Sequence, residues 1–377
     1  MDYLVNTRRE LHKIPEIGFD LDKTLAFVRT ELDRIGVPYT EKYGKSSIVA
    51  YLGKRDAGRT IAIRADMDAL PISEANDIPY KSLHEGAMHA CGHDAHTAIA
   101  LDTVRRLKEL EDTLTCEVRV IFQSAEEYTT SGALLMIEAG VLEGVDMAIA
   151  LHVDPTYDAG CVGISSGRQN AISYGFYLDF YGKSVHVARQ SEGVDAIKMA
   201  MTAYNEINRA RDEFEGGELI FGCGAVEGGK TNNIVCDHCR MFCTVRATSN
   251  AAYFAFDKKM REIVDRVASE AGGKGLVFPI KLYPLVINDE GVTERARETL
   301  LTIVDEEKII NKIPDMIGED FGYFSTYCPS CMIRLGIKNE ALGITHPLHS
   351  EHFNIDESAM TIGSDFFVNF VINNMIG

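Results

Sequence analysis

The sequence predicts an α/β fold, a mostly parallel mixed sheet with helices on both faces, interrupted by an inserted ferredoxin-like α+β domain. Three observations lead there. Apolar strand-like runs alternate with helical patterns in the first part of the chain; the pattern then changes to β-α-β-β-α-β; and helices return toward the end. The length of 377 residues agrees with about two domains.

In the first part, SSIVAYL, TIAIRAD, EVRVIFQ and MAIALHV read as strands, and TLAFVRTELDRIG and HTAIALDTVRRLKEL as helices between them. After GISSGRQNA come the strand SYGFYLDFYG, the helix VDAIKMAMTAYNEINRARDEF and the strands ELIFGCGAV and IVCDHCRMFCTVRA. The long helix through FDKKMREIVDRVASEAG and the strand LVFPIKLYP complete the inserted set. The helices VTERARETLLTIVDE and DESAMTIGSDFFVNFVINNM, with CMIRLGI between them, close the chain. The expected division is 1–170 with 286–377 as one domain and 171–285 as the inserted one.

Hydrophobic residues at 46% and charged residues at 25% are those of a folded globular chain. The net charge of −18 repels a phosphate backbone and argues against nucleic acid as a partner. The N-terminus MDYLVNTRRELHKIPE lacks the apolar segment of a signal peptide, and no long apolar run suggests a membrane span, so a cytoplasmic setting is expected. Nine cysteines in such a chain are expected to be reduced. The pairs Cys236/Cys239 and Cys328/Cys331 are too far apart in sequence for a zinc knuckle, and positions three apart in a strand point to opposite faces.

Ligands in open α/β sheets bind beyond the carboxyl ends of the strands, so the residues there are the candidates. TIAIRAD delivers Arg64, Asp66 and, just beyond it, Asp68; EVRVIFQ leads to Glu126 and Glu127; MAIALHVD ends in His152 and Asp154; and MHACGHDAH places Cys91 and His93 before a helix. With His349 from HPLHSEHF, the donors Cys91, His93, Glu127 and His152 mix thiolate, imidazole and carboxylate, which suits zinc or manganese-like ions. Five ligands exceed one open tetrahedral site and fit two neighbouring ions better. One of the adjacent glutamates can bind metal while the other moves protons. His84, His89 and His96 read as structural groups or as partners of ligands.

The motifs RADMDALP, MHACGHDAH, QSAEE, LHVDP, GKSVHVA, NIVCD with TVR, GEDF and PLHSEHFNIDE resemble, in order and spacing, the M20 metallopeptidase family. They are most similar to its amidohydrolase branch of aminoacylases, hippurate hydrolases and N-acetyldiaminopimelate deacetylases. The resemblance runs from RRELHKIPEIGF to NIDE. It implies a zinc-peptidase-like catalytic domain with a lid and dimerisation domain inserted in it, hence a homodimer. It also implies two divalent ions on Cys91, His93, Glu127, His152 and His349, with Cys91 placed to bridge. Zinc or manganese is expected, with nickel or cobalt as alternatives. Glu126 matches the general base and Asp66 an orienting carboxylate. His186 matches a histidine that reaches the neighbouring subunit's site, and Asn233 and Arg246 match groups that grip a substrate carboxylate. The expected reaction is hydrolysis of the amide bond of an N-acyl amino acid or a small dipeptide-like compound.

The chain departs from that pattern at Gln190, Ser191, Cys236, Glu351 and Arg334; the last stands on the expected pocket wall, where it would favour a polar or acidic substrate part. Three rivals remain. Ser165 in GISSG could be the nucleophile of a serine hydrolase, though the context continues into a strand instead of a helix. Cys91 could be a covalent nucleophile paired with His93. The chain could also be a non-catalytic metal-bound binding protein, against which the retained Glu126 argues.

Overall fold

In the computed structural model, which describes residues 2–55, 58–128 and 130–375, the chain forms two compact units. The first comprises the described residues up to Gln169, Val286–Ile313 and those from Asp320 onward; the second comprises Asn170–Leu285 and Pro314–Glu319.

The first unit opens with α1 (Asp2–His12), α2 (Asp22–Ile35), β1 (Tyr39–Thr40), β2 (Ile48–Gly53), β3 (Thr60–Asp66), α3 (His93–Glu109) and β4 (Glu117–Gln123). It continues with α4 (Gly132–Glu138), β5 (Met147–Asp158), β6 (Val162–Ile164) and β7 (Gly167–Arg168). The second unit holds β8 (Ile172–Tyr181), α5 (Ala196–Asp212), β9 (Leu219–Gly228), β10 (His238–Ala247), α6 (Asn250–Glu270) and β11 (Lys274–Tyr283). The chain returns to the first unit with β12 (Ile287–Asn288), α7 (Glu290–Leu300), β13 (Ile309–Asn311), α8 (Phe321–Tyr327), β14 (Ser330–Lys338) and α9 (Met360–Asn374).

The large sheet of the first unit has the order β1-β2-β4-β3-β5-β14-β6-β13. Its centre, β4-β3-β5-β14, is parallel, while β2 and β6 join it antiparallel. Alternation along the strands builds a core on each face. Ile48, Ala50, Ile61, Ile63, Val120 and Ile149 pack with α2, α3 and α9, whereas Val49, Ala62, Ile121, Ala148 and Ala150 pack with α4 and α8. Helix ends follow local chemistry. Gly36 ends α2 at φ 77°, turning its N–H back onto Leu32 and Asp33 carbonyls, and Ser249 starts α6 by accepting from the Ala252 N–H. The second unit has the sheet order β11-β8-β10-β9, the arrangement that the β-α-β-β-α-β sequence closes into.

Three boundaries differ from the sequence reading. The strand begun by MAIALHV runs on to Asp158 because β14 keeps pairing with it. The strand expected from Ile234 starts only at His238, so Cys236 lies ahead of it and the argument from alternating faces applies to Cys239 alone. The helix expected to run to Glu306 stops at Leu300, whose carbonyl is taken by the turning N–H groups of Ile303 and Val304. All nine cysteines are free thiols.

A buried ionic cluster pins α1 to the start of α3. Arg8 Nε and His12 Nδ1 both reach Asp94 Oδ2, at 2.8 and 2.7 Å, and His12 Nε2 lies 3.2 Å from Glu74 Oε1. Burial opposes a charge on His12, but Asp94 and Glu74 outweigh it and hold its pKa above the usual histidine value. A raised folded pKa gives stability that is complete below about pH 6.5 and fades as pH rises through the folded value. Urea midpoints of wild type and His12→Phe should therefore differ most in mild acid and converge at alkaline pH. A gap independent of pH would show that the His12 charge adds nothing.

Candidate metal centre

The centre is assembled at the carboxyl ends of β3, β4 and β5. Pairing of β3 with β5 ends at Arg64 and Ala150, and in that register His152, two residues past the last pair, is level with Asp66 at the end of β3. On the other flank β14 stays in register, with Arg334 opposite His152. The carboxylate of Asp68, just past β3, accepts the Glu126 N–H on Oδ1 at 2.9 Å and the Glu127 N–H on Oδ2 at 3.0 Å. That clamp aims consecutive glutamates into one place, and Ala125 before them adopts a left-handed φ of 53°.

Cys91, Gly92 and His93 form the turn into α3. Gly92 has φ 81°, and a Cβ there would lie 2.4 Å from Val153 Cγ2, so the turn packs directly on β5. His349 also adopts a left-handed φ, 64°, and its N–H donates to the Ala90 carbonyl at 2.8 Å, tying its loop to the same turn. Non-glycine residues in this region cost of order 1–3 kcal/mol, and they concentrate where function requires a particular geometry.

Among the donor groups of the described residues, two triads share one sulfur, and His93, Glu126 and Glu127 form a further group that touches both. Cys91, His93 and His152 form the first, and Cys91, Glu127 and His349 the second; within each, the donor atoms lie within 4.8 Å of one another. Cys91 Sγ is 3.4 Å from His152 Nε2. Tetrahedral zinc with bonds of about 2.3 Å to sulfur and 2.0–2.1 Å to nitrogen would separate them by roughly 3.5 Å. His93 Nδ1 lies 2.8 Å from the Asp68 carbonyl and His152 Nδ1 2.7 Å from the Val153 carbonyl. A carbonyl only accepts, so both rings carry a proton on Nδ1 and present Nε2, the nitrogen a ligand would use, to the centre. His93 Nε2 is buried without a hydrogen-bond partner. An imidazole nitrogen without a hydrogen bond, grouped with the Cys91 thiol and His152 on one side and the glutamates on the other, fits a cation.

Burial opposes a charge on His93, but Asp66, 3.6 Å from its Nε2, outweighs it and holds its pKa well above the usual histidine value, a proton that a bound cation would have to displace. Burial, reinforced by Glu127, pushes the Cys91 thiol well above its usual pKa. A covalent nucleophile needs the opposite, a lowered pKa, which disfavours Cys91 in that role. Burial and the cationic surroundings, Arg334 included, keep His152 neutral. Burial opposes the charge of Glu127, but His349, 3.1 Å away, and His93 hold its carboxyl below the usual value.

Asp66 stands behind the donors. Its Oδ1 lies 2.6 Å from His96 Nδ1 and its Oδ2 2.6 Å from Arg64 Nη1. Arg64 also reaches Gln123 Oε1 and, through Nη2, Asp320 Oδ1 at 2.6 Å. The sequence reading missed the roles of Asp68 and Asp320. Asp68 follows Asp66 at a spacing of two, the spacing that keeps one side of an extended chain, whereas GEDF carried no spacing signal that would pair Asp320 with Arg64.

The other candidates lie in the second unit or elsewhere. His186 and Asn233 are brought together there: the backbone at His186 bridges Ile234, and the Val187 N–H donates to the Asn233 carbonyl at 3.0 Å. His186 Nδ1 accepts from the Ala188 N–H, which leaves the ring proton on Nε2. Arg246 sits on β10 with its side chain on the sheet face away from α5 and α6, and its Nη1 is buried without a hydrogen-bond partner. Burial alone lowers its pKa. Ser165 follows β6 and leads into β7, so no helix succeeds it, and its hydroxyl donates to the Lys312 carbonyl at 2.9 Å. That is not the strand-turn-helix setting of a serine nucleophile. Among the described residues no helix is long and apolar enough to cross a membrane.

This fold and donor set belong to a metal-dependent hydrolase. The chain is a member of peptidase family M20/M25/M40, whose model matches residues 62–373. It is 31% identical to N-acetyl-L-cysteine deacetylase of Bacillus subtilis over 96% of this chain and 86% of that protein. It is also 31% identical to N-acetyldiaminopimelate deacetylase of Leuconostoc mesenteroides, over 97% and 95% respectively. A crystal structure of a dinuclear metal-binding peptidase of family M20 from Bacillus subtilis superposes with a TM-score of 0.82 at 28% identity, covering 98% of this chain and 96% of that one.

Replacing Gly92 by Ala forces a side chain into left-handed backbone, about 1–2 kcal/mol unfavourable, and into Val153. Gly92→Ala is expected to lower the denaturation midpoint and to weaken metal uptake. Unchanged zinc content by atomic emission would show that the turn tolerates the bulk.

Proposed function

We propose that the chain is a two-metal amidohydrolase that cleaves the amide bond of an N-acyl amino acid, or of a similarly small dipeptide-like compound, and works as a homodimer. What supports this most directly is the pair of donor triads sharing Cys91, with a Glu126 carboxylate oxygen within 4.8 Å of a donor from each, His93 and Glu127. Deacetylases of N-acetyl amino acids among its relatives support the substrate class. Two divalent cations, zinc or manganese, with nickel or cobalt as alternatives, would supply Lewis acidity and an acidified water.

The chain's own groups then have distinct tasks. Glu126, its backbone fixed by Asp68, accepts the proton of the attacking water on a carboxylate oxygen and returns it to the leaving amine. Asp66 holds the surroundings of the first triad. The guanidinium of Arg246 offers a donor fork for the substrate carboxylate, with Asn233 assisting. His186, contributed across the dimer, donates from Nε2 to the oxygen that gains charge. Arg334, beside His152 in the sheet, favours a polar or acidic portion of the substrate.

Metal-free protein reloaded with single metals should hydrolyse part of a panel of N-acetyl and hippuryl amino acids, and chelation should abolish turnover; full activity without metal would end the proposal. Glu126→Gln should keep its metal content and lose about 10²–10⁴-fold in kcat. Wild-type turnover in that variant would remove Glu126 from the reaction. Arg334→Phe should reorder the panel in favour of apolar substrates, and the same ranking as wild type would dismiss its role in selection.

A further inference from the structure

His96 belongs to neither triad, yet its ring centre lies 4.7 Å from that of His152 and 5.4 Å from that of His93. It follows His93 by three positions on α3 and so shares a face with it. Its Nε2 accepts the Val153 N–H at 3.0 Å. A backbone N–H can only donate, so Nε2 is unprotonated, and the ring proton sits on Nδ1, where it is given to Asp66 Oδ1 at 2.6 Å. Both nitrogens are therefore engaged, and although Asp66, His93 and His96 are close enough to form a third donor group, His96 has no lone pair left for a cation.

Val153 is the residue this bond holds. Its carbonyl is the acceptor that fixes His152 Nδ1 at 2.7 Å and so points His152 Nε2 at Cys91. Its Cγ2 is also the atom that a Cβ on Gly92 would strike. An unbroken series thus runs from Arg64 through Asp66, His96 and Val153 to His152. The second triad is held by other means, Glu127 by its N–H on Asp68 and His349 by its N–H on the Ala90 carbonyl.

We infer that His96 is a positioning residue for one metal site only: through Val153 it orients His152, so it governs occupancy of the Cys91/His93/His152 triad and not that of the Cys91/Glu127/His349 triad. This deepens the two-metal reading and rests on it. Loss of His96 leaves the Val153 N–H without an acceptor and Asp66 without its imidazole donor. His152 then loses the fixed backbone that aims it, and the first site weakens while the second keeps its ligands.

The test is zinc titration of metal-free wild type, His96→Ala and His96→Gln against a chromophoric chelator, with ions per chain counted after gel filtration. Wild type should hold two ions. His96→Ala should keep one at wild-type affinity and lose about 10–100-fold at the other, the usual effect of removing a group that orients a ligand. His96→Gln, whose amide can donate to Asp66 and accept from Val153, should recover most of the loss. If the Ala variant fails to fold, His96→Asn, too short to span both partners, should show the same one-site defect. Two wild-type affinities in the Ala or Asn variant would overturn the inference, as would equal weakening of both sites, the mark of a merely structural role. Fewer than two ions in wild type would overturn the two-metal reading and the inference with it.

Discussion

The first unit depends on a charge it has to hide. Arg64 is buried, 1% exposed, in the middle of the large sheet, and its guanidinium joins Asp66 on its own strand to Asp320 on a segment 256 positions away. An uncompensated ion in such a place is unfavourable by several kcal/mol, so neither carboxylate is dispensable once the arginine is there. Asp320 is held in turn by Gln123 and by the Ser131 hydroxyl at the start of α4. One cation therefore fixes the ends of β3 and β4 and the entry to α8 before any ligand is considered, and the donors inherit that rigidity.

A second consequence is a division of labour among the acids. Asp66 and Asp68 spend their oxygens on protein groups, the first on Arg64 and His96, the second on two backbone N–H groups. The two bonds to Asp68 set Glu126 and Glu127 side by side, with the Glu127 carboxylate 3.1 Å from His349 Nε2. Negative charge concentrates around one sulfur, which explains why burial and Glu127 together make the Cys91 thiol reluctant to ionise on its own. A cation reverses that preference, so loading the site and ionising the thiol are one event.

Much of this was readable from residues alone, for a definite reason. A period of two along apolar runs ending in acids and histidines locates strand ends, and sheets place ligands there. Glu127 and His152 were accessible by that route, Cys91 and His93 by their spacing ahead of a helix and His349 from a late loop, and these donors do converge. Tertiary pairing was not accessible. The extension of β5 to Asp158 is imposed by β14, from a distant part of the chain, and the late start of β10 left Cys236 outside the strand expected to hold it. The bond from His96 to the Val153 N–H joins a helix to a strand 57 positions on, and no local pattern marks it.

The sharing of Cys91 has a further consequence. Because a single sulfur serves both triads, the centre has no redundancy at its middle, and the two halves cannot fail separately by that route. Buried and reluctant to ionise, the thiol is protected from oxidants and alkylating agents by its own surroundings, and substitution of this one residue is what would disarm both halves together.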